Sequence, residues 1–248
     1  KNFCGTMEDQ RTEEKAEAGK VEDSEAELPV KDQKFYTDAK EYWDSVNPTI
    51  DGMLGGYAKI SPTDINGSRA FMRPLLKIGG GKTSTKRALD CGAGIGRITK
   101  RLLLPMFETV DMVELSQKFC DAAREFIGQD SSRVDRIMCS GLQDFTPEPG
   151  RYDVIWCQWV LSHLRDDDLV AFLRRCQTGL AKNGVIIVKE NIGQGDRLCF
   201  DEQDSSFVRT KDHMEKVLLK SGMEIIRQEK QKGFPKDIFA VYMYALWG

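Results

Sequence analysis

The chain has 248 residues, 40% of them hydrophobic and 9% aromatic, enough for one large α/β domain with modest additions. No run of about eighteen apolar residues occurs, which excludes a helical membrane span, and residues 1–10 lack the apolar core of a secretory signal, so none is expected. The formal net charge of −3 is uneven, with −5 on residues 1–30 and +2 on the rest; a body so near neutral argues against broad binding to a nucleic-acid backbone.

The acidic, apolar-poor head, residues 1–30, is expected to be disordered. Phe35, Ala39, Tyr42, Trp43 and Val46 then recur at helical spacing, and Asn47-Pro48 ends that helix. A glycine-rich turn, Asp51 to Tyr57, follows. Ser61-Pro62 opens a second helix, with serine as cap and proline in the first turn. These residues, 31–82, form a helical extension that ends at Gly79-Gly80-Gly81, read as a hinge.

From residue 83 to 248 strands and helices alternate. Strands are expected at Arg87–Cys91, Thr109–Glu114, Val134–Cys139, Tyr152–Cys157 and Val185–Lys189. The helices between them run from Arg97 to Leu104, stopped by Pro105, through Phe119 to Ile127, and from Leu169 past Leu180 to an Asn183-Gly184 stop. After a helix at Met214–Leu219, two strands near Met223–Arg227 and Phe239–Leu246 have no helix between them, which implies an antiparallel hairpin. Such alternation predicts a Rossmann-like, doubly wound α/β fold of seven strands, mostly parallel, with ligands at the strand carboxyl ends. Seven cysteines without CxxC spacing, and only two histidines, predict reduced thiols and no metal site.

The first strand runs into Leu89-Asp-Cys-Gly-Ala-Gly-Ile-Gly96. Gly92, Gly94 and Gly96 are spaced GxGxG, unlike the GxGxxG that packs a pyrophosphate against a helix start. Asp90 ahead of them would repel a pyrophosphate and suits a ligand with an ammonium and a sulfonium, which points to S-adenosyl-L-methionine. Arg97 can pair with that ligand's carboxylate by a charge-assisted fork. Glu114 ends the second strand, where an acid can accept both ribose hydroxyls, with Leu115 beside it. Gly141-Leu-Gln-Asp144 is placed to frame the adenine, and Gln158 and Trp159 enter the cleft after the fourth strand. This fold class and loop together are those of a class I methyltransferase.

The loop read as LDCGAGIGRITKRLLLP resembles that of the eukaryotic protein N-terminal methyltransferases, which modify Xaa-Pro-Lys/Arg amino termini. Tyr42-Trp43, DGMLGGY from Asp51, GLQDFTPEP from Gly141, YDVIWCQWVLSHL from Tyr152, KEN from Lys189 and DSS from Asp204 agree over residues 33–247. The resemblance implies cofactor contacts at Gly92, Arg97, Glu114, Ser116, Leu142, Gln143 and Gln158. It implies peptide contacts at Trp43, Leu54, Trp159, His163, Asn191, Asp201, Asp204, Ser206, Ile238 and Phe239, and residence in nucleus and cytoplasm. Asp204 and His163 are the candidate bases, and Asn191 can orient the substrate nitrogen. Asp201, Glu202 and Asp204 form an acidic cluster suited to a substrate lysine or arginine, and Trp43 fits both a core position and the wall of a proline pocket. Two positions depart from the family. Glu-Leu-Ser replaces a frequent Asp-Ile-Thr after the second strand, and Phe239 replaces a tyrosine whose hydroxyl can contact the peptide.

The expected partners are protein N-terminal tails, with no nucleic acid, membrane or metal. A base-amino methyltransferase would carry an Asn/Asp-Pro-Pro-aromatic run where Cys157-Gln-Trp-Val-Leu-Ser-His163 stands. The remaining alternatives are a small-amine methyltransferase and a pseudoenzyme that binds protein tails without catalysis. Removing residues 1–30 should leave peptide methylation nearly unchanged; a several-fold fall in turnover would show that the head helps build or gate the site.

Overall fold

A computed structural model describes residues 32–195 and 198–248, so the acidic head lies outside the described residues. Three helices lead: α1 (Asp32–Ser45), α2 (Ile50–Met53) and α3 (Ser61–Met72). The sheet follows, with β1 (Arg87–Cys91), β2 (Thr109–Glu114), β3 (Val134–Cys139), β4 (Tyr152–Gln158) and β5 (Leu180–Ile192), and with α4 (Gln117–Ile127) and α5 (Asp166–Gly179) as crossovers. The remainder is β6 (Cys199–Asp201), β7 (Ser206–Val208), α6 (Lys211–Lys220), β8 (Glu224–Lys230) and β9 (Ala240–Trp247).

The seven-stranded sheet has the order β3-β2-β1-β4-β5-β9-β8. β1 to β5 are parallel and β9 is antiparallel to both its neighbours. Every residue of β4 is buried, as a central strand covered on both faces requires. One core, around Phe172, Leu173, Ile186 and Leu218, lies under α5 and α6; the other, around Phe71, Leu102, Val110 and Trp156, lies under α3 and α4.

The fold follows the sequence expectation with five differences. Ser61 is the first residue of α3 and not its cap: no side chain caps the helix, and the Ser61 hydroxyl accepts Arg101 Nη1 at 3.1 Å. α5 stops at Gly179, whose Cα lies so near Pro147 that an added Cβ would come within 2.6 Å of it, and Leu180 already begins β5. Asn183, at φ 61°, is therefore an irregularity inside a strand instead of a helix cap. The Gly79–Gly81 segment is a closed turn and not a hinge: Gly81 donates to the Leu76 carbonyl (2.9 Å), Lys77 and Thr83 pair across it, and the Thr83 hydroxyl reaches the Asn183 carbonyl at 2.8 Å. The helix after the glycine loop contains a π-type turn at Thr99–Leu103. The acidic cluster lies on a two-stranded ribbon, β6-β7, where a loop was expected.

The leading helices are tied to the sheet domain at two points. Phe35 of α1 stacks on Phe207 of the ribbon, with centroids 5.1 Å apart, and its carbonyl accepts the Ser205 hydroxyl at 2.9 Å. On α3, Asp64 is fully buried and its carboxylate takes the ammonium of Lys189, from β5, at 2.5 Å. Ser68 and Gln231 take the other Lys189 protons at 2.9 and 2.8 Å. Burial pushes the Lys189 pKa down while Asp64 opposes the shift. Asp64 also accepts Arg97 Nη1 at 2.7 Å, so removing the carboxylate strands two buried cations without water. Asp64→Leu should therefore lower stability by about 3–5 kcal/mol, read as a fall in the urea midpoint; an unchanged midpoint would show that the cluster holds nothing.

Candidate active site

The carboxyl ends of β1, β2, β3 and β4 open into one cavity of about 1010 Å³, open mouth included, covered by α1 and α2. Gly92 and Gly94 form its floor at φ 66° and 54°. A Cβ on Gly92 would lie 2.4 Å from Val160, and one on Gly94 would lie 2.5 Å from the Met53 sulfur. The backbone hand therefore requires glycine at both positions, and at Gly92 the close approach of Val160 requires it as well, whereas the Met53 side chain could shift. Gly96 packs against Ile127 instead, and Asp90 lies beneath the floor, where it accepts the Thr99 hydroxyl at 2.6 Å. Burial raises the Asp90 pKa to about 7.

Glu114 lines the cavity from the end of β2. Its Oε2 accepts the Gly94 amide at 2.8 Å and its Oε1 accepts the Ser116 amide at 2.9 Å. Burial raises its pKa, opposed by these amides. Each oxygen keeps acceptor capacity, so the carboxylate can hold the loop and still take two hydroxyls. Ser116 is fully buried at the start of α4, and its hydroxyl donates to Asp44 of α1 at 2.6 Å, so it joins helices and does not line the cavity. Leu115, Leu142 and Gln143 line it, and Arg175 braces the Leu142 and Gln143 carbonyls at 2.9 Å.

At the opposite wall Arg97 is 4% exposed and lies over the Trp159 ring, 5.6 Å from its centroid. Its Nη1 donates to Asp64 Oδ2 at 2.7 Å. Gln158 is held at both ends, donating to Asp64 Oδ1 at 2.8 Å and accepting the Trp156 indole proton at 3.1 Å. Trp159 adopts φ 53°, and its buried indole N–H has no acceptor among the described residues. Glu190, buried and raised to about pKa 7, accepts the next two amides, Val160 and Leu161, at 2.9 and 2.7 Å and so fixes this turn.

Trp43 and His163 line the same cavity beyond Trp159. The Trp43 indole can only donate, so at 3.1 Å His163 Nε2 is the acceptor. The proton then sits on Nδ1, 3.2 Å from the Ser205 carbonyl. Both ring nitrogens are engaged in a neutral imidazole, and burial holds its pKa below the usual value. Asp204, on the turn between β6 and β7, interacts electrostatically with His163 and bonds Ser206. Its Oδ1 is buried with no hydrogen bond among the described residues, and burial raises its pKa. Asp201, half-buried on β6, spends one oxygen on the Gln203 amide at 2.9 Å.

The structure thus brings Gly92, Gly94, Arg97, Glu114, Leu115, Leu142, Gln143, Gln158, Trp43, Trp159 and His163 to one cavity. Leu54, at the end of α2, is buried, Asn191 on β5 and Ile238 and Phe239 before β9 are half-buried, and Asp201, Asp204 and Ser206 lie on the β6-β7 ribbon beside His163; none of the seven lines it. The sequence reading missed Asp64, Met53 and Tyr36. Asp64 carried a signal: with Ser61, Ser68 and Phe71 it occupies the buried stripe of α3, where a carboxylate has no reason to stand unpaired.

These donors fit S-adenosyl-L-methionine. A floor that a Cβ would fill, a buried acid with acceptor capacity left, an apolar slot at Val113, Leu115 and Leu142, and a buried arginine match its charges and its size. Glu114→Ala should weaken cofactor binding by about 1.5–3 kcal/mol, as for a hydrogen bond to a charged group. Calorimetry giving the unmodified affinity would remove Glu114 from that role. Among the described residues there is no cluster of metal ligands and no helix long and apolar enough to cross a membrane.

Comparison with known proteins agrees with this geometry. Residues 31–247 match the AdoMet dependent proline di-methyltransferases. The Danio rerio N-terminal Xaa-Pro-Lys N-methyltransferase 1 is 52% identical over 218 residues, 88% of this chain and 97% of that protein. The Homo sapiens protein of the same name is 49% identical over the same shares of each. A SAM-dependent methyltransferase from Leishmania major superposes with a TM-score of 0.79 at 39% identity, covering 86% of this chain and 83% of that one. Mitomycin 7-O-methyltransferase, at 18% identity and a TM-score of 0.60, shares the fold alone. The chain belongs to the AdoMet-dependent proline di-methyltransferase family.

Proposed function

We propose that the protein transfers methyl groups from S-adenosyl-L-methionine to the free α-amine of polypeptides beginning Xaa-Pro-Lys or Xaa-Pro-Arg, in the nucleus and cytoplasm. The observation that carries the reading is Asp204: a carboxylate oxygen held out of water without a hydrogen-bond donor, beside the aromatic pair Trp43 and His163. Such an oxygen is costly unless something donates to it, and an ammonium is the matching donor.

S-adenosyl-L-methionine, when bound, supplies an electrophilic methyl group on a sulfonium. Glu114 and the glycine loop hold its ribose end, and Arg97 and Gln158 face its amino-acid end. The α-amine of a substrate has an ordinary pKa of about 7.7–8.0, so a fraction is neutral at pH 7 and chiefly positioning is required. Asp204, beside His163, takes the amine's proton at its free oxygen. His163 keeps Trp43 upright as a wall for the substrate proline, since its single lone pair is already occupied by the Trp43 indole. Asp201 and its neighbours receive the third-position cation.

The direct test is mass spectrometry of short peptides beginning Ser-Pro-Lys, Ala-Pro-Arg and Ser-Ala-Lys, incubated with the protein and cofactor. Methylation confined to the first two supports the reading, and equal rates on all three refute it. Asp204→Asn keeps size and removes basicity, so turnover should fall by roughly 10²–10⁴ with cofactor affinity unchanged. The raised pKa of Asp204 fixes the sign of the pH dependence. The base works only when ionised, so wild-type turnover should climb with pH through a midpoint above the usual carboxylate range, and the variant should lose that limb. If instead His163→Ala abolishes turnover and Asp204→Asn does not, the histidine is the base.

A further inference from the structure

Arg97 and Gln158 enter the cavity from different elements, yet one residue sets the direction of both. Asp64 stands on α3, outside the sheet, with no exposed surface. Its Oδ2 accepts Arg97 Nη1 at 2.7 Å, and its Oδ1 accepts Gln158 Nε2 at 2.8 Å together with Lys189 Nζ at 2.5 Å. The Gln158 amide cannot flip, because its oxygen is required by the Trp156 indole, which only donates. The guanidinium plane has its other support in Trp159. Asp64 itself does not line the cavity.

The charges do not cancel. Arg97 and Lys189 are two buried cations sharing one buried carboxylate, and Lys189 is enclosed by Asp64, Ser68 and Gln231, away from the cavity. Among these three groups the uncompensated positive charge therefore falls to Arg97, the one that reaches the cavity. A carboxylate arriving there completes a four-charge cluster, whereas a ligand without one leaves it incomplete.

We propose that Asp64 is a positioning residue that aims the Arg97 guanidinium and the Gln158 amide at the amino-acid carboxylate of the bound cofactor, so that α3 sets affinity for that end of the ligand alone. This rests on the reading of Arg97 as the carboxylate contact. A simple tether between α3 and the sheet would act on every part of the ligand equally.

The test compares two probes by calorimetry: S-adenosylhomocysteine, which carries the carboxylate, and 5′-methylthioadenosine, which shares the nucleoside and sulfur but lacks the amino-acid end. Asp64→Asn should weaken S-adenosylhomocysteine by about 10–100-fold, the range for a lost charged hydrogen bond, and leave 5′-methylthioadenosine within about twofold. Asp64→Glu keeps the charge and the Lys189 pairing but displaces the fork; it should show the same selective loss and serves if the asparagine variant does not fold. With Arg97→Gln already present, the Asp64 change should add little to the loss. Equal weakening of both probes, or of neither, overturns the positioning role. If Arg97→Gln binds both probes normally, the carboxylate contact itself is wrong, an outcome separable from the first because it is read with Asp64 intact.

Discussion

The buried carboxylate of Asp64, held between two cations, is the interaction on which the rest of the architecture depends. A lone carboxylate there would be too costly to keep ionised, and a lone Lys189 or Arg97 would be equally so. Together they form a cluster that joins α3 to β5 and to the turn after β1. The same cluster holds Arg97, its one member that lines the cavity, so fastening α3 and placing that arginine are a single event. The second fastening, Phe35 on the β6-β7 ribbon, does the same for the Asp204 turn.

The two ends of the cavity are organised by different physics. At the Glu114 end, backbone amides of Gly94 and Ser116 saturate one lone pair on each oxygen, which fixes the carboxylate without neutralising it. At the other end, where His163 lines the cavity and Asp204 stands behind it, the opposite holds, because one carboxylate oxygen has no donor among the described residues. His163, its neighbour, is kept neutral by burial and by giving both nitrogens away. A neutral imidazole adds no positive charge to repel an incoming ammonium. Polar groups at one end are satisfied so that they stay still, and at the other a single oxygen is left unsatisfied so that it has a preferred guest.

How much of this was legible depended on whether the signal was local. In a parallel sheet every strand empties at the same edge, so Gly92, Glu114, Leu142 and Gln158 could be placed together from strand ends alone. Helical periodicity likewise found α1, α3 and α4. The β6-β7 ribbon escaped because its strands have three residues each, too few for alternation to show. The end of α5 lies four residues before the Asn183-Gly184 pair that resembles a helix stop, because β5 already begins at Leu180, which pairs with Tyr152 of β4. Asp64 and Tyr36 act through partners far along the chain. The Tyr36 hydroxyl donates to Asp168 across 132 positions, which no local pattern encodes. His163 was recognised, but its lone pair could not be seen as occupied until Trp43 stood beside it.

The separation of those partners also bears on how the chain acquires its shape. The Ser205–Phe35 bond spans 170 residues and the Lys189–Asp64 bond 125. Closing such loops early is entropically unfavourable, and sheet pairings between neighbouring strands need far shorter closures. α1 and α3, which precede the sheet in the chain, are thus among the last elements to dock, waiting for β5 and the ribbon to be made. Until then α1 and α3 expose the apolar stripes of Phe35, Ala39, Ile65 and Phe71. Until β5 and the ribbon are in place the chain carries an uncovered sheet and two helices with bare apolar faces, and it becomes a closed vessel only when those two late contacts form.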